Sequence, residues 1–198
     1  MNATAGRAVG RPRNQDLDGA IMAAAERQLR EHGYAGMSLD SVAAVAGTTV
    51  PAVRRRFRSK AELADAVIGS LRVTAVPTSA GPPRARALAV LRNFHDNLRR
   101  EGSMAVVGSL LTEEQRHPEL LETFRSRLAG PRRAALREAL AEGIRSGELP
   151  ASADADVLAS MLIGAYYARY LAGPAIPEDW AEQTLRHVWP EPGYRRQA

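Results

Sequence analysis

Apolar residues recur at helical spacing along most of the chain. Between residues 15 and 31 they fall at Leu17, Ile21, Ala24, Ala25 and Leu29, close to the 3.6-residue period of an amphipathic helix. Gly33 provides a plausible end to that helix. No segment shows the two-residue alternation of a strand. The pattern therefore predicts an all-α fold of about nine helices.

Local signals divide the first 72 residues into four helices, three of them short. Ser38 is a suitable N-cap for the second helix because its hydroxyl can accept an otherwise unpaired backbone N–H, and Gly47 ends that helix. Thr49 can cap the third helix, with Pro51 in the first turn, where a missing N–H costs little. Residues 60–72 form the fourth.

A Pro-, Ser- and Gly-rich stretch at residues 73–83 interrupts the helical pattern. We place the domain boundary there. Residues 1–14 are expected to be a flexible basic arm, residues 15–72 a DNA-binding domain with its connecting fourth helix, and residues 73–198 a second helical domain. Within the latter, a long helix is expected to kink at Gly130.

Residues 38–56 give the most informative local pattern: a helix, a short turn and a second short helix. Helices joined in this way cross steeply, so one of them projects from the surface. The projecting helix should bury Val53 and Phe57. Its outer side offers Thr49, Val50, Arg54, Arg55 and Arg56. Such a helix fits a major groove about 12 Å wide, where arginine binds guanine edges or phosphates.

Charge is concentrated at the N-terminal end of the chain. The net charge is +5, and residues 1–60 hold ten basic and five acidic side chains, so the remainder is neutral. This asymmetry is typical of a polyanion-binding module joined to another domain. Arg7, Arg11 and Arg13 in the arm could enter a minor groove or follow phosphates, or the arm could be a disordered tail.

Composition excludes several classes of site. Cysteine is absent, which rules out disulfides and thiolate metal sites and suits a reducing cytoplasm. No apolar run is long enough to span a membrane, so no membrane partner is expected. Glu113, Glu114 and His117 could mimic a metal or acid–base group, but they lie in a polar turn. Phosphate-loop and hydrolase motifs are missing. We therefore expect no enzyme activity, cofactor or metal.

A combination of motifs connects these features. They are the alanine-rich first helix, Gly33-Tyr34, Ser38, the Ala46-Gly47 turn, the short helix at residues 49–55, Phe57, and Lys60 to Leu63. Together, near the start of a chain of this length, they resemble the N-terminal domain of the tetracycline-repressor (TetR) family. The resemblance implies a cytoplasmic regulator, a repressor by family habit, that binds operator DNA as a homodimer and responds to a small molecule.

The resemblance also implies residue roles in the N-terminal domain. Ser38 and Lys60 match phosphate-contacting positions, and Val50, Pro51, Ala52, Arg54 and Arg56 match the DNA-facing side of the recognition helix. The family usually has tyrosine at the position of Arg54 and histidine or a related residue at that of Arg56. These departures suggest more charge-based contact, with guanine reading by Arg54 or Arg55. Tyr34 is interpreted as a packing residue.

Dimerisation follows from the DNA-binding interpretation. A short recognition helix reads few base pairs, and two copies about 34–36 Å apart read both halves of a palindrome. The predicted interface lies on the last two helices and comprises Val157, Met161, Gly164, Ala165, Ala168, Trp180, Leu185 and Val188. One apolar stripe of the penultimate helix should face its own domain and another a second copy.

The resemblance further implies that the middle helices enclose a pocket for a largely apolar effector. Candidate lining residues are Phe94, His95, Leu98, Met104, Val107, Phe124, Leu128, Tyr166 and Tyr170. The fourth helix would couple this pocket to the DNA-binding domain. The alternative function is a non-specific, architectural DNA-binding protein with no effector, which would need the basic N-terminal domain but no pocket.

Overall fold

The computed structural model describes residues 15–70, 81–100 and 102–190, which form ten α-helices and one π-helical segment without any strand. The helices are α1 (Gln15–Gly36), α2 (Leu39–Val45), α3 (Val50–Arg54), α4 (Lys60–Ser70), α5 (Pro83–Leu98), α6 (Ser103–Glu113), α7 (Pro118–Phe124), the π-helical segment (Arg125–Ala129), α8 (Gly130–Arg145), α9 (Ala155–Ala172) and α10 (Trp180–Val188). This confirms the all-α prediction. The basic arm and the boundary at residue 73 lie outside the described residues.

The count of about nine holds when α7, the π-helical segment and α8 are taken as the single long helix that was expected. Its irregularity is where the kink was predicted. Pro131 has no N–H to continue the ladder. A Cβ on Gly130 would lie 2.7 Å from the carbonyl oxygen of Arg125, so glycine permits the backbone to approach closely there. No helix within the described ranges is long and apolar enough to cross a membrane.

Local caps shape the N-terminal helices as the sequence indicated. Gly33, with φ of 66°, breaks α1 near its C-terminal end. Ser38 caps α2 reciprocally: its Oγ accepts the Ser41 N–H at 3.0 Å, and its own N–H donates to Ser41 Oγ at 3.1 Å. Gly47, with φ of 63°, provides the left-handed turn toward α3.

Two hydrophobic cores organise the molecule. The head core joins α1–α4 to α6, α7 and the π-helical segment, through Ile21, Leu29, Val42, Val53, Ile68, Val106, Leu110, Leu120 and Leu121. The body core joins α5, α8, α9 and α10, through Leu91, Phe94, Leu136, Leu140, Leu162, Tyr166, Trp180, Leu185 and Trp189. Packing therefore groups α6 and α7 with the N-terminal helices, although they follow the boundary expected from the sequence.

Polar contacts reinforce this grouping. The backbone N–H of Tyr34, just after the break at Gly33, donates to Ser109 Oγ of α6 at 2.6 Å. The hydroxyl of Thr123 on α7 donates to Asp65 of α4. The N-terminal domain is thus connected to the middle of the chain through α1 as well as through the fourth helix.

Candidate nucleic-acid interface and ligand cavity

The recognition helix α3 is short because its ends are defined by side-chain chemistry. Thr49 is its N-cap, with Oγ1 accepting the Ala52 N–H at 3.4 Å, and Pro51 occupies the first turn. Val53 is fully buried in the head core, and Phe57 packs partly against it. These contacts hold the inner side of α3 against the head and leave the opposite side in solvent.

Arg54 and Arg55 form the charged part of that outer side. Both are exposed, and neither has an ion pair or side-chain hydrogen bond anywhere in the described residues. Thr49 and Pro51 are also exposed, while Val50 is half-buried against the head core. The predicted projecting face is therefore present, and its contact with DNA remains a prediction.

Two expected DNA-facing residues point elsewhere. Ala52 is only 6% exposed, because it follows the cap on the same side of α3 as Val53 and packs inward. The Arg56 guanidinium turns back and pairs through Nε with Asp18 of α1, and its Nη1 donates to the carbonyl of Ala52 at 3.0 Å. Placing Arg56 on the outer side was wrong for this structure, since short-range periodicity does not reveal its acidic partner on α1. Ala52, which the resemblance assigned to the DNA-facing side, is buried instead.

The residues expected to contact phosphates lie at two helix N-termini. Ser38 is half-buried as the cap of α2, and Lys60 opens α4. The Lys60 ammonium lies 4.3 Å from the centroid of the Tyr34 ring and donates to the carbonyl of Ala35 at 3.3 Å. Tyr34 is buried, which confirms its packing role. Burial raises the pKa of its phenol, and the nearby carboxylates of Glu119 and Glu113 raise it further.

A partly open cavity of about 60 Å³ lies where the two cores meet. Helices from both cores line it: Arg30, Asn97, Leu98, Arg100, Ser103, Val106, Val107, Phe124, Leu128, Arg132 and Tyr167. Among the described residues of this lining, three are arginines and none is acidic. The cavity is therefore apolar over much of its wall and cationic elsewhere.

A wider groove of about 480 Å³ adjoins the cavity and shares Val107, Phe124 and Tyr167 with it. The rest of its lining is mainly apolar: Met104, Gly108, Leu110, Leu111, Leu121, Arg125, Ala129, Tyr170 and Leu171. Of the predicted pocket residues, Leu98, Met104, Val107, Phe124, Leu128 and Tyr170 line one space or the other.

The remaining predicted pocket residues do not line either space. Phe94, His95 and Tyr166 are buried in the body core around Trp180, with the ring centroids of Phe94 and Tyr166 5.3 Å apart. The ring centroids of His95 and Trp180 lie 5.8 Å apart in the same aromatic cluster. The prediction failed for these three because one apolar face of α5 serves the body core, while Asn97 and Leu98 near its end reach the cavity.

Sequence reasoning missed Arg132. This side chain is 7% exposed, lines the cavity, and lies with its guanidinium carbon 5.5 Å from the Phe94 ring centroid. Burial lowers its pKa, opposed by the nearby Tyr167. A signal was available: arginine stands four residues after Leu128 and four before Leu136, where the helical pattern calls for an apolar residue.

The penultimate helix α9 presents two apolar stripes, as expected. Ala159, Leu162 and Tyr166 are buried in the body core. The opposite stripe, which we call the α9 stripe, comprises Val157, Met161, Gly164, Ala168 and Leu171, spaced alternately four and three residues apart. Met161 is 57% exposed and Leu171 82% exposed. Leu171 was missed, although it continues the same spacing.

The residues of α10 that were predicted to form the dimer interface pack within their own chain instead. Trp180 and Leu185 are buried in the body core of their own chain, and Val188 packs against it. Ala165 on α9 also packs partly against that core. Trp189 extends the same packing against Gly143, where there is no room for a Cβ. The strong amphipathicity of α10 is used within the chain, and its outer face carries polar residues.

The acidic and histidine group before α7 has separate partners. Glu114 pairs with Arg125 at 2.9 Å, and His117 Nδ1 lies 3.2 Å from Glu119 while its ring contacts Tyr34. No group of three His, Asp or Glu side chains in the described parts of the chain is arranged to hold a metal ion.

Comparison with known sequences identifies the family. Residues 21–67 match the profile of bacterial regulatory proteins of the tetR family, and residues 77–188 match the tetracyclin repressor-like C-terminal domain. The chain belongs to the TetR family. TetR-family proteins are non-enzymatic DNA-binding regulators, and this chain is accordingly a helix-turn-helix transcriptional regulator.

Relatives agree over most of the chain. An uncharacterized HTH-type transcriptional regulator of Mycobacterium tuberculosis is 31% identical over 73% of this chain and 71% of its own length. The uncharacterized HTH-type regulator YdeS of Bacillus subtilis is 28% identical over 91% of each chain. The fold is similar to that of the fatty acid degradation regulator FadR of Bacillus halodurans, with a TM-score of 0.68 at 17% identity, covering 93% of this chain and 100% of that one.

Proposed function

We propose that this TetR-family protein is a ligand-responsive repressor that binds a palindromic operator as a homodimer and is released by a small-molecule effector. The observation that supports DNA binding most directly is the outer side of α3, where Arg54 and Arg55 are exposed and have no partner among the residues that the structure describes. Guanidinium groups in this state can donate to guanine edges or phosphates without first breaking an internal ion pair.

The α9 stripe supports the homodimer. Its alternating spacing keeps Val157, Met161, Gly164, Ala168 and Leu171 on one side of the helix. The body core already occupies the opposite side, so a second copy is the partner that this stripe suits. Gly164 has open space around the position of a Cβ, which leaves room for close approach of a second helix.

The position of the cavity supports regulation. Its lining comes from helices of both cores, so a bound molecule contacts the DNA-binding head and the body at once. Arg30 of α1 lines the cavity and donates to Ser103 Oγ of α6 at 3.1 Å, and α6 also contacts α1 through Ser109. A ligand that prefers one arrangement of the cores would shift the spacing of the two recognition helices.

Energetics set a requirement for this mechanism. A near-complete switch needs the effector to prefer the non-binding arrangement by about 5.5 kcal/mol. By linkage, operator DNA must weaken effector binding by the same factor. This reciprocity distinguishes a ligand-responsive regulator from an architectural DNA-binding protein.

The test begins with DNA fragments selected from random sequence by the purified full-length protein. We expect enrichment of one palindrome, with affinity for it exceeding that for scrambled DNA by at least about 1,000-fold at fixed salt. Affinity for both DNAs should decrease as salt rises, because phosphate contacts release counterions. Equal affinity for palindrome and scrambled sequence would favour the architectural alternative and contradict the proposal.

A further inference from the structure

Arg132 is a buried cation without a protein counter-ion in the described residues. Its Nε is enclosed and has no hydrogen-bond partner, and it forms no ion pair with a described carboxylate. Its guanidinium carbon lies 5.5 Å from the centroid of the Phe94 ring, whose face attracts a cation but cannot accept the directed bonds of a guanidinium. Arginine keeps its charge even when buried, so this group requires an anion or water to complete its bonding.

Other polar groups around the cavity already have partners. Arg30 pairs with Glu26 at 2.9 Å, and Ser103 Oγ donates to the carbonyl of Asn97 at 3.0 Å. The Asn97 amide donates to the carbonyl of Asn93 at 2.8 Å. Arg132 therefore differs from them in being both enclosed and without such a partner. It lies at the wall of a space whose described lining contains no acidic side chain.

We propose that the effector of this regulator is an amphipathic carboxylic acid whose carboxylate binds Arg132 in the cavity, with its apolar part in the adjoining groove. This inference rests on the proposed ligand response and specifies its chemistry. Guanidinium and carboxylate match as two parallel hydrogen bonds, which completes the bonding of Arg132. The Tyr167 side chain lines both spaces, so it can contact both the carboxylate and the apolar part of the ligand.

The dimensions of the two spaces agree with this division. About 60 Å³ provides room for a small planar group such as a carboxylate. The groove of about 480 Å³ has the size and apolar lining expected for the larger part of a small ligand. Val107 and Phe124 border both, so one molecule can occupy them together.

The test uses hexanoate, decanoate and hexadecanoate, each compared with the alcohol of the same chain length. Binding to the full-length protein is measured by calorimetry, and thermal stabilisation is measured in parallel. We expect at least one carboxylate to bind about tenfold or more tightly than its alcohol, which is the effect of a charge-assisted hydrogen bond. If no carboxylate binds more tightly than its alcohol, the proposal is wrong.

Variants assign the preference to Arg132. Arg132→Met keeps much of the side-chain volume without charge, and should bind acid and alcohol equally. Arg132→Lys should retain part of the preference. Arg137→Met changes an exposed arginine of the same helix and should behave as wild type. Preserved acid preference in a folded Arg132→Met protein would overturn the assignment. A purely structural Arg132 would instead change thermal stability and leave the ratio of affinities unaltered.

Operator binding is measured in the same series so that two failures remain distinct. Specific operator binding without carboxylate preference would contradict the acid site and leave the proposed regulator intact. Absence of specific DNA binding would remove the proposed function, while the titrations, which need no DNA, would still decide whether the cavity prefers an acid.

Discussion

The recognition helix and the cavity both present arginine without a counter-ion among the described residues, but in opposite environments. Arg54 and Arg55 stand in water, where an unpaired charge costs little and salt screens its attraction for a polyanion. Arg132 is buried in the protein, where an unpaired charge is costly and a correctly shaped anion is strongly preferred. Exposure thus suits the first pair to fast, salt-sensitive binding of DNA, and burial suits the second to selection of a small molecule.

The largest expected loss of operator affinity follows from charge reversal on the exposed side of α3. Replacing both Arg54 and Arg55 by Glu should reduce operator affinity by about 1,000-fold or more, because two donors are lost in each head and repulsion replaces them. Thermal stability should remain unchanged, since neither side chain has a partner in the described structure. Fluorescence anisotropy with labelled operator measures the affinity.

A matched control keeps the same change of net charge. Arg137→Glu with Arg145→Glu alters two exposed arginines of α8, away from the head. This variant should lose only the part of the affinity that depends on overall charge. If both double variants lose equal affinity, α3 is not the specific contact surface.

The second change tests how much of the operator affinity depends on the pairing of two DNA-binding domains. Gly164→Phe should convert the proposed dimer to a monomer and reduce operator affinity by roughly 100-fold, the scale of lost bivalency. A Cβ at Gly164 meets nothing within 4 Å in its own chain, so folding should be preserved. Analytical ultracentrifugation gives the mass. Gly19→Phe, at another open helical glycine, is the control; an unchanged mass for Gly164→Phe would argue against the α9 stripe.

The third change concerns Arg56, which pairs with Asp18 within the protein and can therefore be compared with the exposed Arg54 and Arg55. Asp18→Asn should lower the free energy of unfolding by about 1 kcal/mol, because it weakens a half-buried ion pair with Arg56. Urea unfolding checks this value. Arg56→Met should lose similar stability and leave the salt dependence of operator binding intact. A salt slope as strongly reduced as in an Arg55→Met variant would mean that Arg56 leaves Asp18 to contact DNA.

The smallest expected effect concerns His95, a second buried group without a partner for one nitrogen. Burial lowers its pKa, and Arg99 acts in the same direction, against Asp96, Glu182 and Glu178. The unfolded chain therefore binds more protons near and below pH about 6.5, so the free energy of unfolding should fall as pH drops through that range and stay level above it.

Urea titrations of wild type and His95→Leu from neutral to mildly acidic pH provide the measurement. The variant should show a shallower decrease in stability, because it removes one group that gains a proton on unfolding. Identical slopes would show that other residues account for the acid sensitivity. The comparison with Arg132 is direct: histidine can lose its charge when buried, whereas arginine cannot.

Sequence reasoning succeeded where the decisive interaction is local. The cap at Ser38, the break at Gly33 and the outer position of Arg54 depend on neighbours within a few residues. It failed where a distant side chain decides the outcome. Asp18 redirects Arg56 across the head, and the body core draws Trp180 inward. A period along one helix says which residues share a face but not which element covers it.

The cavity illustrates the same limit. The family resemblance implied a pocket between the middle helices, and apolar spacing supplied candidate lining residues. Spacing could not tell the face of α5 that packs in the body core from the end of α5 that reaches the cavity. Arg132 interrupts an apolar stripe of α8. Only the three-dimensional structure shows that this interruption faces a space with no acidic residue in its described lining.

The continuity of the head core through α6 and α7 has a consequence for anyone exchanging parts between relatives. A chimaeric junction at residue 73 would remove Val106, Leu110, Leu120 and Leu121 from their packing against α1 and α4. A large apolar surface would then be exposed to solvent. A chimaera that combines this DNA-binding domain with the ligand-binding domain of a relative must therefore retain α6 and α7 along with the first four helices.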